Sequence, residues 1–447
     1  MLVSRFINSK KSKCFLEVDG RPFLFQSVHV MHAGDNATAE LWAKKAKDVG
    51  FELMSPWVYW RTIERNPGEF CFDDIKLLVD TAVQYDIRLD LIWGGTNFCG
   101  RIDARFVPEW IIENKEFLYC DENGEFVTVN GGDVGDCLVA NVCSKELLKL
   151  EQNALKMLVS FLEKYDVSHR VISIQLGNEI NMSGYTAGKS QTLGYFDSLA
   201  ATVAAQNYHI ATRITVSDWL RTGADEEIKK YKNIKAIGFS IFSPKVSYTR
   251  EMIKNYDEKT FKHIGCNSAF ENSSAHIIAA LTNGGFYHIY RLDHDPIWDR
   301  NSVYGEDWKE TISTLQIRNI NTAINKAGAL IAETAPSDMA EFNTESDGFP
   351  DMFYSASKPL GGAQIGFLSK YNFACAFAIY ADGYYYIFSD GNIDFYINKP
   401  LESCENGYFD KCGNFCVQNL SFVSEYDGYS YVGYKTGDCL RIKPSIL

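Results

Sequence analysis

Two glutamates stand where chemistry could be done. Glu179 follows the apolar run Val171, Ile172, Ile174 and Leu176, too short for a typical helix, and Gly177, which ends it, lets the backbone turn closely. A short buried strand thus delivers an Asn178-Glu179 pair at its C-terminal edge. Glu271 ends a second strand-like stretch, Phe261 to Glu271, three strand-helix units later. Two carboxylates facing each other across a cleft suit cleavage of a glycosidic bond. One hands a proton to the leaving oxygen while the other attacks the anomeric carbon or activates water. Burial of Glu179 near the Glu271 anion would raise its pKa and keep it protonated near neutrality. An Asn-Glu pair after a strand is also a common solvated loop, so the chemistry depends on a fold that brings both acids to one rim. Glu333, in Leu330-Ile-Ala-Glu333-Thr-Ala-Pro, is the rival second acid; it follows the last expected barrel helix, which suits a surface or interdomain role.

The elements that could position them alternate regularly. A lead-in hairpin, Phe15 to Val18 turning at Asp19-Gly20, precedes a first strand from Phe23 to Val30 that ends in His29 and His32. A helix capped by Thr38 follows, with Leu41, Trp42, Ala46 and Val49 at helical spacing and Gly50 as its stop. Strand two is Phe51 to Val58, Pro67-Gly68 marks a turn, Asp73 or Asp74 opens a helix to Tyr85, and Ile87 to Trp93 is strand three. A long loop over 94–143 then breaks the rhythm, as loops on an active-site rim do. Ser144 caps a helix to Tyr165, and strand four carries Glu179. Tyr195 to Gln206 is helical, Ala211 to Ser217 and Ala236 to Phe242 are strands five and six, and strand seven carries Glu271. Ser273 or Ser274 caps a helix over Ala275 to Leu281, Phe286 to Tyr290 is strand eight, and the eighth helix spans about Trp308 to Ala327. Eight such units predict an α/β chain, a (β/α)8 TIM barrel over residues 1–328.

Beyond Gly328, Tyr and Phe become dense, and Asp382-Gly383, Asp390-Gly391, Asn406-Gly407 and Asp427-Gly428 punctuate short alternating segments. Those are hairpin signals, and 329–447 is expected to hold a connection and a small C-terminal antiparallel β domain, sandwich-like, whose aromatics build a core. At 447 residues and 46% hydrophobic composition the chain can bury a large core. A net charge of −13, with no basic stripe, excludes a general nucleic-acid partner. No apolar run reaches membrane-spanning length and the N-terminus shows no signal-peptide core, so the expectation is a cytoplasmic protein without a membrane partner. The twelve cysteines are scattered, with Cys14, Cys71, Cys266 and Cys375 in apolar or strand-like runs, which fits reduced and mostly buried thiols. Cys404, Cys412, Cys416 and Cys439 lack a paired C-x-x-C spacing, and no metal or other cofactor is expected.

Several stretches resemble a known family. Ser27-Val-His29-Val, Leu41-Trp42-Ala-Lys-Lys-Ala-Lys47-Asp-Val-Gly50, Trp57-Val-Tyr-Trp60 and Glu64-Arg-Asn-Pro67-Gly68-Glu-Phe70-Cys-Phe72 come first. Leu91-Ile-Trp93-Gly-Gly-Thr-Asn97, Val107-Pro-Glu-Trp110 and Ile174-Gln-Leu-Gly-Asn178-Glu179-Ile follow. In this order they are similar to landmarks of glycoside hydrolase family 35 and its family 42 and family 5 relatives, over roughly residues 15 to 300. The chain departs from family 35 at Leu176-Gly177, where an acidic or amide residue is usual, and after Trp93, where an Ala-Glu pair is usual. The resemblance implies a retaining mechanism with Glu179 as acid/base, Glu271 as nucleophile and Asn178 on the sugar 2-hydroxyl. It makes an exo-acting β-glycosidase, β-galactosidase-like, the first expectation. Another sugar specificity (a glucoside or mannoside), a glycan-binding barrel without catalysis, and a metal-assisted lyase or aldolase remain the alternatives. His29 could bind a hydroxyl or serve as a core hydrogen-bonder. Trp93 and Asn97 are candidate sugar contacts; Trp219 and Trp298 are candidate stacking platforms, whereas Trp57 suits packing. Tyr290 is placed to orient the nucleophile. His288, Asp293, His294 and Asp295 imitate a metal cluster, but strand alternation keeps them from converging. The partner implied is a carbohydrate, with a homo-oligomer possible.

Overall fold

A computed structural model describes the chain except for residues 1–2, 9–13, 97–105, 131–135, 181–187, 217–224, 242–244, 261–262, 269–272, 295–301, 344–353, 370–373, 391–392, 411–412, 435–438 and 446–447. Strands β1 (Gln26–Val30), β2 (Leu53–Tyr59), β3 (Arg88–Gly94), β4 (Val171–Gln175), β5 (Ala211–Val216), β6 (Ala236–Ile241), β7 (His263–Ser268) and β8 (Phe286–Ile289) pair in parallel in that order. β8 pairs back onto β1, closing the barrel. Helices α1 (Asn36–Asp48), α2 (Asp73–Gln84), α3 (Lys145–Tyr165), α4 (Lys189–Ala204), α5 (Asp225–Lys229), α6 (Val246–Thr260), α7 (Ser273–Thr282) and α8 (Ile312–Glu333) alternate with the strands. This is the (β/α)8 barrel expected from the alternation.

Most helix starts follow local chemistry. Ser144 accepts the Leu147 N–H at the start of α3, as expected, and Asp73 and Asp74 fill the first turn of α2. At α1 the cap is Asp35 instead of Thr38: the Asp35 carboxylate accepts both the backbone N–H and the hydroxyl of Thr38 at 2.9 Å. A carboxylate at the N-cap outcompetes a hydroxyl three residues later, which becomes part of the first turn. α4 begins at Lys189, earlier than the expected Tyr195. α8 runs on to Glu333, so Glu333 is its exposed last residue and does not follow it.

Successive strand residues face opposite ways, so each strand divides its side chains between the helices and the barrel axis. In β2, Met54 and Val58 pack outward in the main core, while Ser55, Trp57 and Tyr59 face the axis. The axis is filled in layers. The lowest is apolar: Phe25, Leu53, Ile172, Ala211, Ala236 and Phe286 pack with Leu16 and Val18 of a lead-in antiparallel sheet, which plugs the N-terminal end. Its hairpin turns at Asp19-Gly20, both with positive φ (53° and 79°), the left-handed pair that a two-residue turn requires.

The C-terminal part is two antiparallel sheets, as expected. Six strands run in the order Met339–Asn343, Cys375–Ala381, Tyr384–Ser389, Leu440–Pro444, Leu401–Phe409, Phe415–Leu420; five run Tyr354–Leu360, Ala363–Ser369, Ile393–Ile397, Tyr429–Tyr434, Val423–Tyr426. Ala376, Ala378, Tyr385 and Ile387 meet Ile365, Phe367, Phe395 and Val432 between the sheets. The opposite face of the six-stranded sheet, Phe377, Ile379 and Phe388, joins the barrel's core against α7 and α8. Its strands Cys375–Ala381 and Tyr384–Ser389 are thus buried on both faces, which explains their nearly continuous apolar sequence, whereas Phe415–Leu420 at the far edge is largely exposed. Asp382-Gly383 and Asp427-Gly428 form the expected two-residue turns, with both residues at positive φ. The other two signals do different work. Asn406-Gly407 is a register irregularity inside strand Leu401–Phe409, and Asp390 begins a crossover from one sheet to the other. The eight cysteines whose side chains are described are free thiols; Cys137, Cys375, Cys404 and Cys439 are buried, but Cys71 is exposed, its thiol turned to the Asp73 carboxylate at the start of α2. Among the described residues no helix is long and apolar enough to cross a membrane.

Candidate functional site

The middle layer of the barrel is polar. Asp90 of β3 and Arg213 of β5 form a fully buried ion pair, with Arg213 Nη2 to Asp90 Oδ2 at 2.5 Å and Nε to the same oxygen at 3.1 Å. Ser55 of β2 and Ser173 of β4 donate their hydroxyls to the two Asp90 oxygens at 2.9 and 2.6 Å. A register shift in β4 turns both Ile172 and Ser173 inward to make this possible. Arg213 Nη2 also lies 3.2 Å from His288 Nδ1 on β8, which Ser27 of β1 approaches at 2.7 Å. Burial, with the Arg213 guanidinium and then His29 beside it, holds His288 well below the usual histidine pKa, hence neutral. A guanidinium can only donate, so Nδ1 accepts and the ring proton sits on Nε2. Six of the eight strands are thereby tied together beneath the mouth.

Above that layer lies the segment carrying Glu179. Gly177 packs so closely that a Cβ there would come 2.4 Å from Ile180 Cγ2 and 2.8 Å from Phe196, so no larger residue fits. Thr215 of β5 organises the rest. Its N–H donates to the Gly177 carbonyl at 3.1 Å, its carbonyl accepts the Ile180 N–H at 3.1 Å, and its hydroxyl accepts the Glu179 N–H at 2.9 Å. The same hydroxyl lies 3.0 Å from Asn178 Oδ1, which also accepts from Gln175 Nε2 at 3.0 Å. With its oxygen so engaged, the Asn178 amide presents Nδ2 on its other side. Glu179 is half-buried and has φ of +52°, a left-handed conformation a glutamate rarely adopts and that costs about 1–3 kcal/mol. Its surroundings hold it there.

The neighbouring wall is aromatic. His29, buried at the end of β1, lies 5.3 Å ring to ring from half-buried Tyr290 and 5.8 Å from Trp57. Trp57 stacks on Phe106 at 4.9 Å, and Tyr59 stacks on Phe106 at 4.9 Å and on His32 at 4.8 Å. Trp57 is therefore a packed wall residue, as expected.

Trp93 does not reach the mouth. Strand parity puts Asp90 and Ile92 on the axis and turns Trp93 outward, where it is 1% exposed and donates its indole N–H to Glu151 Oε1 at 2.8 Å. Glu151, buried on α3, also accepts from Thr96 (2.6 Å from the hydroxyl) and Tyr195 (2.6 Å). Burial raises its pKa against the pull of those bonds. A Cβ at Gly95 would overlap Glu151 Oε1 at 1.8 Å, so this cluster fixes how the chain leaves β3. Trp93 thus positions the loop and is no sugar contact. Glu64 fixes a turn in the same way, accepting the Trp60 indole N–H and the Gly68 N–H, both at 2.8 Å, which holds Pro67-Gly68 in place.

Glu271, Asn97, Trp219 and Trp298 lie outside the described residues. By position, 271 falls between the end of β7 at Ser268 and the start of α7 at Ser273, and 219 follows β5. Asp295 is also outside them, and among the described residues no three His, Cys, Asp or Glu side chains form a metal-holding group. Sequence reasoning missed Thr215, Gln175 and Glu151. Glu151 left a signal, an acid on the apolar stripe Leu147, Ala154, Leu155, Leu158 of α3.

The fold defines the class: a closed (β/α)8 barrel with an Asn-Glu pair at the C-terminal end of β4, followed by antiparallel sheets. Solved structures similar to this chain include β-galactosidases from the psychrophilic Marinomonas ef1 (TM-score 0.53, 11% identity, covering 69% of this chain and 60% of that one) and from Bacillus circulans sp. alkalophilus (0.54, 10%, 70% and 57%). A third is the cold-adapted β-galactosidase from Rahnella sp. R3 (0.52, 11%, 70% and 57%). The match spans less than two thirds of each of those proteins, and at such identity it is a likeness of fold. No family model and no curated protein matches the sequence.

Proposed function

We propose that the protein is a glycoside hydrolase, a retaining and exo-acting β-glycosidase of β-galactosidase-like specificity. The observation that carries the proposal is the presentation of Glu179: a carboxylate at the C-terminal end of β4, in a strained left-handed conformation, beside an Asn178 amide oriented by Thr215 and Gln175. Strain of this kind persists where the surroundings over-determine it, and such places cluster at active sites.

In the proposed reaction Glu179 protonates the glycosidic oxygen as the Glu271 carboxylate attacks the anomeric carbon. The aglycone leaves as an alcohol and a glycosyl ester forms on Glu271. Glu179, now a carboxylate, takes a proton from water, whose oxygen attacks the same carbon and frees Glu271. Asn178 donates to the 2-hydroxyl, and His29 and Tyr290 contact the sugar from the aromatic wall. Asn97, Trp219 and Trp298 complete the proposed contacts.

A panel of aryl β-glycosides, run with Glu179→Gln and Glu271→Ala beside the parent, tests this. Turnover of the β-galactoside, lost by about a thousandfold in each variant with unchanged circular dichroism, is the expected result. Turnover that survives either substitution would overturn the assignment, and sugar binding without turnover in the parent would make the barrel a glycan-binding module.

A further inference from the structure

The outward face of the five-stranded sheet is built of tyrosines. Alternation along its strands sends Ile365, Phe367, Phe395 and Val432 into the core between the sheets and their neighbours the other way. The register then lays one row across all five strands: Ser357, Gly366, Tyr396, Tyr431 and Ser424. Two residues along, Tyr429 pairs with Tyr426 beside that row. None of the four tyrosines belongs to an apolar core; Tyr396, Tyr429 and Tyr431 are half-buried and Tyr426 is 75% exposed. The six-stranded sheet lies between this sheet and the barrel, so the tyrosines face away from the mouth.

The rings are held in place. Tyr396 lies 5.8 Å ring to ring from both Tyr431 and Tyr429, which are 6.5 Å apart. A Cβ at Gly366 would come 2.0 Å from the Tyr396 ring, so that ring lies across the glycine, along the sheet, with its face to solvent. Ser357 hydrogen-bonds its hydroxyl, and Gln364 Nε2 donates to Ser357 Oγ at 2.9 Å. A ring fixed in advance loses little freedom when a ligand stacks on it.

Charge selects the occupant. Among the described outward positions of these strands there is no lysine or arginine, and the one charge is Asp394. An anionic polymer finds no cation there, and a second copy of a chain with net charge −13 would bring like charge to the face. A neutral ligand remains. The negative faces of the rings attract C–H groups, while the phenol hydroxyls, Gln364 and Asp394 hydrogen-bond hydroxyls, and a pyranose offers both on one flat unit. We propose that the outward face of the five-stranded sheet binds a neutral polysaccharide, whose successive rings stack on Tyr396 and on the Tyr431-Tyr429 pair toward Tyr426. Three strands span about 10 Å, room for roughly two such rings. The site tethers the protein to a polymer and does not rest on the glycosidase reading.

Affinity electrophoresis of the full chain through gels containing β-1,4-galactan, galactomannan, xylan or polygalacturonate tests this. At least one of the three neutral polymers retards the protein, and anionic polygalacturonate does not. Tyr396→Ala/Tyr431→Ala weakens that binding by about tenfold or more with unchanged circular dichroism, since two ring faces are lost, whereas Tyr396→Phe/Tyr431→Phe keeps most of it. Tyr426→Ala, at an exposed position that leaves the fold intact, weakens it several-fold. Glu179→Gln, at the mouth, is retarded like the parent. Retardation by none of the neutral polymers, retardation indifferent to the tyrosines, or retardation abolished by Glu179→Gln would each overturn the proposal. So would a dimer in sedimentation velocity that Tyr396→Ala/Tyr431→Ala dissociates, which would make the face an interface between copies.

Discussion

Thr215 receives the Glu179 N–H on its hydroxyl and meets the Asn178 amide oxygen, so Thr215→Val keeps the shape of the side chain and removes both bonds. Under the proposed mechanism it acts by positioning. We expect kcat to fall about ten- to a hundredfold with KM little changed and the melting temperature near the parent's, as kinetics on the best aryl glycoside will measure. A second residue speaks to stability. Asp390, fully buried, accepts the Cys375 N–H at 2.8 Å, and burial pushes its pKa from 3.8 up to about 7. The folded state therefore binds this proton more tightly than the unfolded chain. The stability it confers is complete below pH 3.8 and is lost as pH rises through about 7. Asp390→Asn, uncharged throughout, should gain stability relative to the parent progressively over that window, by a few kcal/mol, and then hold the gain constant; chemical denaturation across pH will show it. A gain independent of pH would contradict the assignment.

At the level of elements, the barrel strands were legible because apolar runs alternate with helical spacing, and Ser144 marks a helix start as Asp382-Gly383 and Asp427-Gly428 mark hairpins in the C-terminal sheets. Thr38 misled because Asp35 competes for the same backbone donors, and Asn406-Gly407 misled because a glycine inside a strand can relieve a bulge as readily as turn a hairpin. The polar layer was invisible. Asp90 and Arg213 look like ordinary strand charges until closure puts their parity on the barrel axis, where each needs the other. Asp90→Ala should cost about 3–5 kcal/mol, since Arg213 is left buried and uncompensated, whereas the double change Asp90→Leu/Arg213→Met should cost less than that single one. Urea denaturation of the set decides it. The site was half legible: Glu179 and Asn178 stand out in sequence, but Thr215 and Gln175, which hold them, are an unremarked Thr and Gln on neighbouring strands.

For the molecule as a whole, the six-stranded sheet has one face in the sandwich and the other in the barrel's core, so the two parts share apolar contacts through Phe377, Ile379 and Phe388. Phe377→Ala should cost about 3–5 kcal/mol and lower the melting of barrel and sheets together in one transition, which calorimetry will resolve. Two separated transitions, with only one shifted, would show that the shared core does not couple them. Such coupling would make the C-terminal sheets a brace on α7, the helix that follows the position of Glu271. The proposed mechanism stands on the pairing of Glu179 with Glu271 in a double displacement. Its most direct test is to incubate the protein with the 2-deoxy-2-fluoro analogue of the aryl β-glycoside it turns over and to map the modified peptide by mass spectrometry. A single glycosyl adduct on Glu271 is the predicted result; no adduct, or one on another residue, would contradict it.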